Sequence, residues 1–202
     1  KKFKVSQPED IYENASLINW SEYFDQDNTI LIDPVINSEV IRHSQYAAQV
    51  TKDAIADYFR KKTGKRPSVE KKQPDIRINL HISNKRGTIS LVANGEPLNK
   101  RGYRQKADVA PLNEVLAAAL IRLSGWNKQS HLMDPMCGSG TIPIEAAMYA
   151  LNIPAGYFRK HFSFFYWKDF NQDLWERIKK QSEENMKKEF EEQRKEIANH
   201  KR

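Results

Sequence analysis

From Leu132 to Ala147 the chain reads Leu-Met-Asp-Pro-Met-Cys-Gly-Ser-Gly-Thr-Ile-Pro-Ile-Glu-Ala-Ala, and this stretch narrows the choice of folds more than any other. It predicts a short buried strand at Leu132 and Met133, a Gly-rich turn, and a helix from about Thr141. Gly138 and Gly140 permit positive φ and close approach of a ligand to the backbone. The helix start offers free N–H groups and the positive end of a dipole to an anion. Pro143 fits the first turn, where a missing N–H costs nothing. Open α/β sheets bind nucleotide-like ligands at such strand–turn–helix units. No Gly-Lys-Ser/Thr follows the glycines, which excludes a P-loop.

Upstream, the pattern predicts α+β structure. Residues 9–20 form a short helix carrying Ile11, Leu17 and Ile18, and Thr29–Asp33 a strand stopped by Pro34. A helix runs from Ser38 to about Lys62 and ends at Gly64 and Pro67. Ile76, Ile78, Leu80 and Ile82 alternate with Arg77, Asn79 and His81, the period of a half-buried strand. Asn84–Gly87 turns the chain into a second strand with Ile89, Leu91 and Ala93 inward. The expected sheet is antiparallel with one wet face. Residues 100–110 read as a linker. Pro111 then opens a helix with Leu112, Val115, Leu116, Ala119, Leu120 and Leu123 on one side, capped by Gly125.

Downstream, Tyr157–Phe170 is dense in aromatics interleaved with Arg159, Lys160 and His161. Such a cluster is either packing or a lid, or it stacks bases. From Asn171 a long charged helix carries only a narrow apolar stripe, Leu174, Ile178, Met186, Phe190 and Ile197, so it should be mostly wet.

Net charge is +7, with 39% apolar residues. Between residues 60 and 106, fourteen basic side chains face three acidic ones, an excess larger than that of the whole chain. This is either a solvated surface or a phosphate-tracking face. One cysteine excludes an internal disulfide and fits a reducing compartment. The scattered histidines give no zinc spacing, so no metal is expected. The start, Lys1 to Pro8, lacks the apolar core of a signal peptide, and no apolar run could span a bilayer. The cytoplasm is the default location, with no membrane partner.

Asp134-Pro-Met-Cys-Gly-Ser-Gly-Thr141 followed by Ile144-Glu-Ala-Ala147 resembles motif I of the amino-methyltransferases, the loop that holds the methionine end of S-adenosylmethionine. Three further stretches extend the likeness: Arg42–Ile55, Pro74–Leu80 and Arg101–Glu114. Together they resemble the THUMP-domain RNA guanine-N2 methyltransferases, specifically the large-subunit ribosomal RNA branch. The resemblance implies an α+β THUMP domain over residues 1–100, its amino-terminal part missing. The first part of an α/β Rossmann-like methyltransferase domain would follow over 101–202. Its implied cofactor is S-adenosylmethionine and its partner RNA, 23S ribosomal RNA in particular. The implied cofactor residues are Asp134, Pro135, Cys137, Gly138, Ser139, Gly140 and Thr141, with Pro111, Asn113 and Glu114 beside the pocket. Glu114 would meet the cofactor's amine, and Cys137 is a small packing residue rather than a nucleophile. The candidate RNA contacts are Arg42, Lys52, Arg77, Arg101, Arg104 and Lys106.

The chain departs from that family in having no Asn/Asp-Pro-Pro-Tyr motif, which would position the target amine. No catalytic residue is therefore assigned, and the chain reads as part of a longer enzyme. An alternative makes Phe162–Trp167 the next strand and Asp169 the acid that holds the cofactor ribose. Two rival functions stay open: an RNA-docking module with a scaffold half-methyltransferase, and a DNA adenine-N6 methyltransferase.

Overall fold

A computed structural model describes residues 1–104 and 111–200, with side chains through 195. Packing divides the chain into two units. The first joins Lys1–Gly95 to His161–Phe170, and the second joins Glu96–Lys160 to the segment from Asn171 onward.

The first unit comprises β1 (Lys2–Lys4), α1 (Glu9–Ser16), β2 (Thr29–Asn37), α2 (Ser44–Thr63), β3 (Ser68–Val69), β4 (Ile76–Ser83) and β5 (Arg86–Leu91). They form a five-stranded sheet in the order β1-β5-β4-β2-β3. The period-2 expectation for β4 holds: Ile76, Ile78, Leu80 and Ile82 are all 0% exposed. They pack with Ile11, Trp20, Phe24, Ile55 and Phe59 into one core beneath the helices. Fully burying each such aliphatic side chain stabilises by about 1.5–3 kcal/mol, so one face of the sheet anchors the unit.

The sheet is mixed rather than antiparallel. β2 runs parallel to β4, from Ile30 opposite Ile76 to Asn37 opposite Ser83, and parallel to β3. The intervening α2 provides the long crossover that returns the chain in the same direction. Pro34 does not stop β2. Beyond Ile30 the β3 side of the strand is unpaired, so a residue without an N–H sits there without breaking a ladder.

Helix boundaries also shift. α1 ends at Ser16, and a single 3-10 turn follows at Trp20–Glu22. α2 starts at Ser44, not Ser38, because Ser38 donates its hydroxyl to Asn84 O and holds its segment against the β4–β5 turn. Gly64 ends α2 in the left-handed region, its N–H donated to Arg60 O, the expected cap. Ala93, expected inward, is exposed just past the end of β5.

The aromatic segment packs with the first unit. Phe164 donates its N–H to Ala93 O, Lys168 donates to Tyr23 O, and Trp167 lies against the core. Ser163–Tyr166 is a 3-10 turn, not a strand, and Asp169 is exposed. That overturns the alternative reading of a second strand ending in a ribose-binding acid.

The second unit contains α3 (Glu114–Leu123), α4 (Thr141–Ala150) and α5 (Gln172–His200). Asn113, not Pro111, starts α3: its side-chain oxygen accepts from Val115 N and Leu116 N. α3 packs on α4; Glu114, Ala117 and Ile121 are buried, while Val115, Leu116, Leu120 and Leu123 stay exposed. Leu132 and Met133 form no strand, and Met133 is 87% exposed. An extended segment becomes a strand only with a ladder partner, and none lies beside it among the described residues. α5 is mostly solvent-exposed, as its narrow stripe foretold; Ile197 lies beyond the described side chains. Among the described residues no helix is long and apolar enough to cross a membrane.

Candidate functional site

The Gly loop folds around two short-range bonds. Asp134 Oδ1 accepts from Met136 N at 3.1 Å, and Gly140 N donates to Cys137 O at 2.8 Å. Gly138 has φ +53° and Gly140 φ +77°, conformations that glycine adopts without the penalty a Cβ would bring. The space on the Cβ side of Gly138 is open. Gly140 is the N-cap of α4, and no side chain among the described residues caps that helix. The free N–H groups of its first turn therefore face the loop. Pro135, Cys137 and Ser139 are exposed, and Thr141 is buried at the helix start.

Arg101, Tyr103 and Arg104, from the stretch read as a linker, reach this loop and its helix. Arg104 donates through Nε and Nη2 to Glu114 Oε1 at 3.1 and 2.8 Å. It also donates to Thr141 Oγ1 at 3.2 Å and to Ser139 Oγ at 3.3 Å. One guanidinium thus ties the start of α3 to the Gly loop and the start of α4. Three residues earlier, Arg101 makes a two-pronged pair with Glu145 of α4, Nε to Oε1 and Nη2 to Oε2, both 3.1 Å. Both partners are buried, and Tyr103 adds its hydroxyl to Glu145 Oε1 at 3.1 Å. Burial first, and the Glu145 carboxylate next, push the Tyr103 phenol well above its ordinary value.

The expected RNA contacts fare differently. Arg101 and Arg104 are consumed by Glu145 and Glu114, so neither offers a free charge to phosphate. Arg77 pairs with Asp33 at 3.1 Å, and its Nε is buried without a partner. Lys52 pairs with its neighbour Asp53 at 2.8 Å. Arg42 is exposed between β2 and α2. Lys106 lies outside the described residues. The basic run of residues 60–106 is therefore not one open face, since much of its charge is spent on internal ion pairs. Sequence reasoning missed Glu145 and Tyr103. The available signal was the spacing Arg101-x-Tyr103-Arg104, two guanidiniums and a phenol ahead of a motif whose helix carries a carboxylate. Among the described residues, no group of three or more His, Cys, Asp or Glu could hold a metal ion.

Two known domains match the chain. Residues 5–92 match the THUMP domain, and residues 101–200 match the RMKL-like methyltransferase domain. The chain thus carries both matches in order, a THUMP domain and then an RMKL-like methyltransferase domain. A relative from Magnetococcus marinus, named ribosomal RNA large subunit methyltransferase K/L, is 44% identical over 172 residues, 83% of this chain. The chain spans 24% of that relative's length. A solved structure from Clostridium difficile 630, described as a possible methylase, is 31% identical with a TM-score of 0.78. It covers 92% of this chain and 48% of its own. Another, solved in complex with SAH, is 26% identical with a TM-score of 0.77, the match covering 92% of this chain and 49% of the other.

Proposed function

We propose that the protein containing this sequence methylates ribosomal RNA with S-adenosylmethionine, at the N2 amine of a guanine in 23S ribosomal RNA. Residues 1–100 serve as the RNA-docking THUMP domain and residues 101–202 as the opening part of the methyltransferase domain. Arg104 paired with Glu114 beside the Gly loop carries this reading. The methionine end of the cofactor is a zwitterion, with a carboxylate and an ammonium on one carbon. Arg104, 2.8 Å from Glu114, fixes at the loop a carboxylate that complements the ammonium. The open space at Gly138 and the uncapped α4 start leave backbone donors for the carboxylate. The residues present therefore fit the group.

When bound, the cofactor supplies a methyl group on a positively charged sulfur. Glu114, held in place by Arg104, would orient the ammonium, and the α4 N–H groups would meet the carboxylate. Asp134 fixes the loop, while Pro135, Cys137, Ser139 and Thr141 shape its walls. Asn113 keeps α3, and with it Glu114, in register, and Pro111 stiffens its approach. The contribution of this chain is alignment, which can lower a barrier by about 7–11 kcal/mol in favourable cases. The target base must be unpaired or flipped to present its amine.

The relative named as a large-subunit ribosomal RNA methyltransferase and the neighbour solved with SAH support this reading. The test is transfer of a tritiated methyl group from S-adenosylmethionine to unmodified 23S ribosomal RNA by the full-length enzyme. Label should appear in N2-methylguanine after nuclease digestion. Label in N6-methyladenine, or only in a DNA substrate, overturns it.

A further inference from the structure

Most of the expected cations are spent on internal pairs, but a different set of basic side chains gathers in the first unit. Lys2 and Lys4 of β1, Lys85 of the turn and Arg86 of β5 line an open groove of about 1320 Å³, together with His81 of β4. All five are exposed. The four Lys and Arg side chains make no ion pair or side-chain hydrogen bond among the described residues. The only acidic side chain on the lining is Glu39.

The register makes this arrangement costly. Val5 N donates to Lys85 O, and Ile89 N donates to Lys1 O. Antiparallel pairs alternate, so Lys4 and Arg86, which sit opposite each other, form a non-hydrogen-bonded pair, the kind whose side chains approach most closely. Like charges directly opposite destabilise a sheet. The fold bears that cost on a strand of three residues, at an edge where uncharged residues would serve the ladder equally well.

We infer that this groove is the surface on which the THUMP domain tracks the phosphate backbone of RNA, through Lys2, Lys4, Lys85 and Arg86. This rests on the RNA reading given above. The cations occupy two adjacent rows of the sheet and the turn beyond it, which suits a run of phosphates rather than a single one. Recognition is of the backbone. Phe3, the only Phe, Tyr or Trp lining the groove, is half-buried and stands where Gly87 makes room for it, so no exposed ring of these types offers a stacking platform.

The experiment uses the 202-residue chain and a fluorescein-labelled hairpin cut from 23S ribosomal RNA, read by anisotropy across a salt series. Changing Lys2, Lys4, Lys85 and Arg86 together to Gln should shallow the log–log salt slope by about three units, from four lost contacts at roughly 0.7–0.9 each. A control with equal charge loss changes Lys61, Arg66, Lys71 and Lys72 to Gln and should leave most of the slope intact. Equal losses in both variants would mean a diffuse field and overturn the groove, while RNA binding itself stands. Failure of the unsubstituted chain to bind the hairpin would remove both the RNA reading and the groove. Equal affinity for a DNA hairpin of the same sequence would make the groove a general polyanion surface, which also overturns the assignment. Folding has its own readout: R86Q should raise the melting temperature by relieving the Lys4–Arg86 repulsion. A lowered one would make Arg86 structural and sink the inference.

Discussion

Arg104 places two N–H groups on a single oxygen of Glu114, at 3.1 and 2.8 Å, and spends the rest of its fork on Ser139 and Thr141. Lysine reproduces the charge but not this geometry. Arg104→Lys in the full-length enzyme should weaken S-adenosylmethionine binding by about 10- to 100-fold, the equivalent of one charge-assisted hydrogen bond at about 1.5–3 kcal/mol. Calorimetric titration reads this directly. An unchanged dissociation constant would remove Arg104 from the cofactor pocket.

The buried Arg101–Glu145 pair makes a different demand. Removing one partner leaves a charge stranded in the interior, at a cost of about 3–5 kcal/mol. Glu145→Leu alone should therefore shift the urea midpoint of the second unit strongly downward. Adding Arg101→Met and Tyr103→Phe should recover most of the loss, because all three groups then become apolar together. If the triple variant is no better than the single one, the pair stabilises for reasons other than its burial.

Tyr103 supplies a pH signature. Its phenol is held neutral by burial and by Glu145, so its folded-state pKa lies above the unfolded value of about 10. Above that pH the unfolded chain releases a proton that the folded chain keeps, and stability falls as pH rises. Below it the contribution is fully present. Denaturation between pH 9 and 11 should show this decline, and Tyr103→Phe should reduce it. An unchanged slope in the Phe variant would assign the decline to other groups.

Gly87 faces Phe3 across the β1–β5 pair, and a Cβ there would stand 2.5 Å from the Phe3 ring and 2.9 Å from Val5. Gly87→Ala should loosen β1, with an overpacking cost of about 1–3 kcal/mol. Hydrogen exchange at Val5 N should accelerate while the β4 amides stay protected. Phe3→Leu in the same chain should restore protection. Equal acceleration across the sheet would mean that β1 is not a separable element.

Much of this was legible in the chain. β4 announced itself because its period-2 pattern is set by a face buried beneath two helices. The Gly loop was legible because its glycines need positive φ. β1 was not, since Lys-Phe-Lys has too few residues to show a period and becomes a strand only through β5. The parallel pairing of β2 and β4 was encoded by a strand, a helix of twenty residues and a second strand, a βαβ signal overlooked for the nearer hairpin. The leucines of α3 misled: their periodicity is real, yet Ala117 and Ile121, not Leu116 and Leu120, are the buried residues. The ion pairs of Arg101 and Arg104 could not be read from composition, because partners 44 and 10 residues away become neighbours only after folding.

The aromatic decapeptide 161–170 sits within the matched methyltransferase stretch, yet it packs with the THUMP unit. The seam between the two modules in sequence is therefore not the seam in space. A gene cut after residue 100 would deliver a THUMP domain stripped of Trp167 and its neighbours, with apolar surface newly wetted. A graft of residues 101–200 onto another RNA-binding domain would carry an orphaned strap seeking a surface that is no longer there. Only an exchange that moves both parts together keeps that surface covered.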